Sequence, residues 1–162
     1  MNALLEPLTR YDWGGNRGEL LPIDNAIRDA QRDSAKLSEL ELALLTVLQS
    51  DAKLPAKEYI CRKLALIGTA QSVPALVAML PDADLLDRAL LALQAIPDGA
   101  ARDALLEALN GATGTTQLGI VNALGERRDP KATAALTKLA ENADTTLAGA
   151  AKTALRKIGT AA

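Results

Sequence analysis

The sequence predicts an all-α protein: a solenoid of about four stacked helix pairs behind an N-terminal helical cap. Three observations carry this. Landmark leucines recur at steps of 29, 31 and 31 residues, at Leu64, Leu93, Leu124 and Leu155. Between them, apolar residues follow the i, i+3, i+4, i+7 spacing of one helical face. Aromatics make up only 2%, with no Phe, while Ala and Leu dominate. That composition favours helices, because strands prefer β-branched and aromatic side chains.

Residues 1–33 read as the cap. The stretch ALLEPL (3–8) is a short apolar turn, and Leu20, Ile23 and Ile27 share one face of the next helix. Between them lies YDWGGNRGEL (11–20), which holds the only Trp. The first repeat of a solenoid exposes its core and needs a cover. Trp13 is therefore expected to be buried against that repeat, with Gly14, Gly15 and Gly18 letting the backbone turn.

Residues 34–162 read as the repeat array, expected to be a piece of a longer protein because IGTAA stops where a further repeat would begin. The first unit has the longest helices, KLSELELALLTVLQ and PAKEYICRKLALI. In the second, Val73, Leu76, Val77 and Leu80 form one face, PDAD (81–84) breaks the chain, and Leu86, Leu90, Leu93 and Ile96 or Pro97 follow. Asp84 is expected to cap that second helix. The third unit should be the weakest, since GATGTTQLGIVNALG places four glycines in or near its second helix, at up to ~1 kcal/mol each when interior. The fourth runs through Leu136 and Leu139, then Asp144 as a cap, then Leu147, Ala151, Leu155 and Ile158. Gly68 and Gly159 sit where a left-handed residue would end each helix. Small residues such as Ala92 and Ala123 would let helices approach closely.

The phrase IGTAQSVPAL (67–76), set in this register, resembles the HEAT family of helical repeats in its short bacterial form, over roughly residues 36 to 162. The likeness implies a right-handed α-α superhelix whose second helices line the concave side. It also implies a noncatalytic protein-interaction or scaffold module, part of a larger multidomain protein. The chain departs from the family pattern in two places. Pro74 has no counterpart at Asp103 or Ala134, and the basic residue early in the second helix survives only as Lys57. The alternatives are a HEAT-like enzyme or accessory segment, lyase-like or DNA-repair-like, and a purely structural spacer.

The chemistry available is narrow. With no His and one Cys, neither an internal disulfide nor a thiolate–imidazole metal site can be assembled. Cys61 reads as a small core residue, since no His exists to activate it. GATGTT (111–116) lacks the Lys of a phosphate-binding loop, and DAD (82–84) and ENAD (141–144) read as caps rather than calcium ligands. No catalytic residue, cofactor or metal is therefore expected. A net charge of −2 and the scarcity of aromatics disfavour nucleic acid. No apolar run approaches the ~20 residues of a membrane span, and MNALLEPLTR lacks the features of a signal peptide.

A partner surface can still be laid out. At about 100° per residue, a first-unit core face of Ile60, Leu64 and Ile67 leaves Glu58 and Arg62 pointing away. The repeat register carries this row to Asp87 and Leu91, then to Leu118 and Asn122, then to Gly149 and Thr153. Leu91 and Leu118 have no core-facing reason to be large, so the row is the candidate binding surface. Arg127 joins it as an oddity, because it aligns with Ile67, Ile96 and Ile158. A protein partner or neighbouring domains of the same chain would bind there, with the module itself a monomer.

Overall fold

The fold comes from a computed structural model that describes residues 3–159. Among these residues there are ten α-helices, four short 3-10 turns and no strand. The N-terminal segment contributes α1 (Glu6–Arg10) and α2 (Leu21–Asp29). Four pairs follow: α3 (Ser34–Leu48) with α4 (Leu54–Ile67), and α5 (Val73–Val77) with α6 (Leu86–Ala95). Then come α7 (Gly99–Gly111) with α8 (Gly114–Arg127), and α9 (Thr133–Ala140) with α10 (Thr145–Ile158). Each second helix packs on its own first helix and on the next second helix, α4 on α6, α6 on α8 and α8 on α10. The second helices thus form one continuous layer.

The repeat register is a packing register. Leu64, Leu93 and Leu124 are fully buried, as are Leu76, Leu105 and Leu136. Each contributes on the order of 1.5–3 kcal/mol by leaving water. Local signals repeat with it. Thr69, Asp98 and Asp129 stand at steps of 29 and 31, and each side chain accepts from the backbone N–H two residues on. These N–H groups have no intrahelical partner, so each unit's first turn starts on a short polar cap.

Asp144 caps α10 by accepting from the N–H groups of Thr146 and Leu147, as its position predicts. Gly159 ends α10 in the left-handed region at φ 85°. Gly68 does not do the same for α4, where the backbone is extended at φ −64°, ψ 144°. Its role is space: a Cβ there would lie 2.4 Å from the Leu64 carbonyl oxygen and 3.1 Å from Ile96 Cδ1. Asp84 caps nothing. Leu85 occupies the N-cap of α6, and the Asp82 carboxylate accepts from the Asp84 N–H instead.

The first helix of the second unit is short. Helix α5 stops at Val77, and tight turns carry the chain to Asp82. Pro81 explains this, because it has no N–H and its ring clashes with the carbonyl four residues back. Helix α8, by contrast, runs unbroken through Gly119 and Gly125. A Cβ at Gly125 would lie 2.7 Å from both Cα and Cβ of Ala154. The absent side chain is what lets α8 and α10 meet.

The N-terminal segment packs on the repeats through aliphatic residues. Leu5, Leu8, Leu20, Ile23 and Ile27 are buried and join the core of the repeats. Trp13 is 69% exposed, so the expectation of a buried indole is overturned. The cause is local. Residues 12–15 form a turn closed by the Gly15 N–H donating to the Asp12 carbonyl at 2.9 Å, with Gly14 at φ 77°. That turn directs the indole outward, and Tyr11 is the half-buried ring at the end of the core.

Candidate functional site

The row laid out from the sequence lies on the layer of second helices. Glu58 on α4 is bridged to the next repeat by Arg88 on α6, whose Nε donates to Oε1 at 3.4 Å. Arg62, one turn along α4, stands 4.0 Å from the other carboxylate oxygen. Arg88 was missed in the sequence. The 30-residue offset from Glu58 is its only signal. Asp87 and Asn122 are exposed, Leu91 is 38% exposed and Leu118 is half-buried. The row therefore runs from an ion-paired end, over an exposed leucine, to a half-buried one.

Arg127 is placed elsewhere. Its Nη1 donates to the carbonyls of Leu93 at 2.6 Å, Gln94 at 3.3 Å and Ile96, and its Nη2 donates to the carbonyl of Asp98 at 2.8 Å. The Leu93, Gln94 and Ile96 carbonyls close α6 and carry the negative end of its dipole, while Asp98 is the N-cap residue of α7. A guanidinium replaces the isoleucine of the other units because it reaches the preceding repeat's helix end. Its Nε is buried and makes no hydrogen bond.

The ion-paired end of the row opens into a groove of about 320 Å³. One wall is the turn from Tyr11 to Gly15, carrying the exposed Trp13. Pro55, Glu58 and Arg62 of α4 form the other, with Arg17 at the rim. The turn is held at its base, because the Asp12 carboxylate takes a hydrogen bond from Lys53 Nζ at 2.5 Å and another from the Trp13 N–H at 2.8 Å. The Lys53 hydrogen bond, before any other influence, holds the Asp12 carboxyl below the ordinary range.

Further contacts fasten the cap and the repeats. The Tyr59 hydroxyl donates to Asp24 at 2.7 Å, and Lys63 Nζ pairs with the same carboxylate at 2.6 Å. Burial alone would push the Asp24 carboxyl up, but the hydrogen bonds from Lys63 and Tyr59 outweigh it and hold it low. Glu41, fully buried on α3, accepts from the Thr69 N–H at 2.7 Å and the Ser72 hydroxyl at 2.5 Å. Arg102 on α7 performs the mirror-image task, donating to Asp129 of the next unit at 2.7 Å. Cys61 is fully buried, and burial pushes its thiol up to about 12. At neutral pH it is a protonated core side chain. Among the described residues, no helix is long and apolar enough to cross a membrane.

No model of a known protein family matches this sequence. Compared with the curated proteins, it gives no significant match.

Proposed function

We propose that this protein is a noncatalytic, HEAT-like interaction scaffold, whose layer of second helices receives a protein partner or a neighbouring domain of its own chain. The observation that carries the reading is Leu91, a large aliphatic side chain 38% exposed on α6, in the row that also holds the half-buried Leu118. It sits on a rigid, repeat-to-repeat packed surface, between the Glu58–Arg88 pair and the polar Asn122. Apolar anchors ringed by polar groups are how such surfaces concentrate binding energy. Solenoids offer long faces of this kind without needing reactive side chains.

The test is affinity copurification of the wild-type chain, the Leu91→Glu variant and a Leu42→Glu control. Leu42 is 51% exposed on α3, a first helix off the row. Loss of a stoichiometric partner in Leu91→Glu alone, with both variants folded, supports the face. Equal retention in all three removes it and leaves the spacer reading.

A further inference from the structure

We propose that the Trp13 groove binds an extended, proline-containing acidic peptide segment, with a pyrrolidine ring against the indole and a carboxylate on Arg17. This deepens the scaffold reading by giving it a ligand chemistry, and it rests on that reading.

The shape comes first. A Trp that is 69% exposed places a large apolar surface in water, and here the turn bearing it is tied down by Asp12 to Lys53. The backbone that carries the indole is thus set before a ligand arrives, which lowers part of the ordering cost of binding. The groove is open on one side and lined by Trp13, Tyr11 and Pro55. At about 320 Å³ it lies near the lower end of ligand clefts, which span roughly 300–1,000 Å³. That size suits a short segment rather than a folded face. Proline-rich segments dock in aromatic-lined grooves because they are already extended and lose little freedom.

The charge pattern selects the acid. Each carboxylate on the groove already has a cation: Asp12 has Lys53 at 2.5 Å, and Glu58 has Arg88 at 3.4 Å and Arg62 at 4.0 Å. Arg17 is exposed, makes no hydrogen bond or close ion pair among the described residues, and acts on Asp24 only through space. The uncompensated charge at the rim is therefore positive, and a guanidinium matches a carboxylate in geometry as well as sign. A sugar fits less well, since the groove's carboxylates are already engaged.

Trp13 is the only Trp, so its fluorescence reports this groove alone. The full chain is titrated with acetyl-Pro-Pro-Glu-Pro-Pro-Glu-amide and with the same peptide carrying Gln or Lys in place of Glu. The expected result is a saturable emission change with the Glu peptide, about tenfold or more weaker with the Gln peptide. In Arg17→Ala, with its circular dichroism unchanged, the Glu-over-Gln preference should disappear. An absent response, equal affinity for Glu and Gln, tighter binding of the Lys peptide, or an intact preference in Arg17→Ala each overturns the proposal. Failure here alongside partner loss in Leu91→Glu would refute the groove and leave the scaffold standing.

Discussion

Removing the Glu41 carboxylate should cost the fold about 2–4 kcal/mol, and the structure shows where that figure arises. Glu41 is fully buried on α3 and accepts from the Thr69 N–H, the Thr69 hydroxyl and the Ser72 hydroxyl. Ser72 is itself fully buried, so Glu41→Ala strands its hydroxyl away from water at about 1–3 kcal/mol. Thr69 is exposed and can turn to solvent, so its share is about 0.5–1.5 kcal/mol. Loss of the γ-methylene of the stem adds at most about 0.8 kcal/mol, less what the site regains by admitting water. For a domain of this size that becomes a fall in Tm of roughly 5–15 °C. The double variant Glu41→Ala/Ser72→Ala separates a staple from generic burial. With both partners gone the stranded donor is gone too, so the pair should show a coupling of about 1 kcal/mol or more. The assay is urea and thermal unfolding of the four proteins in the cycle. A Glu41→Ala loss below ~0.5 kcal/mol, or strictly additive single costs, would refute the reasoning.

Four further outcomes follow from the packing and the ion pairs. Gly125→Ala should destabilise by about 1–3 kcal/mol, because its Cβ would meet the Cα of Ala154 at 2.7 Å and backbone cannot swing aside. Gly149→Ala, on the same pair of helices but facing open space, should stabilise by about 0.4–1 kcal/mol; matching signs in a melting experiment would contradict this contrast. Arg127→Ile restores the residue of the other units but strands carbonyls at the end of α6, with an expected net loss of about 1–3 kcal/mol in denaturant. A variant as stable as wild type would mean that the guanidinium is not holding that helix end. The Asp129 carboxyl is held below its ordinary value chiefly by the hydrogen bond from Arg102. Its folded pKa is depressed, so the stability it confers is present above the unfolded value of about 4 and is lost as pH falls through the folded one. Asp129→Asn keeps the cap and should show a shallower loss of stability on acidification, and unchanged slopes would refute the pairing.

The sequence by itself determined the periodic part of this protein. Leu64, Leu93 and Leu124 are legible because a repeat imposes the same burial on the same position each time, so one-dimensional spacing stands in for the contact. Asp144 and Gly159 are legible because a cap is settled within a few residues of chain. What the tertiary structure alone decided lies between segments far apart in sequence. Gly125 reads as a weak point of its helix, yet it is small because Ala154 comes to meet it, and Gly68 is confined by Ile96 as well as by the Leu64 carbonyl of its own helix end. Arg127 reads as an anomaly until the end of α6 arrives beneath it, and Glu41 is one more acidic residue in α3 until Thr69 and Ser72 close over it. Trp13 was misplaced by treating a large apolar residue as bound for the core. The Asp12–Gly15 turn sends it outward while five aliphatic side chains fill the end of the array. Hydrophobicity sets the free energy available for burial, but chain geometry decides which side chains can reach the core, and that geometry is three-dimensional.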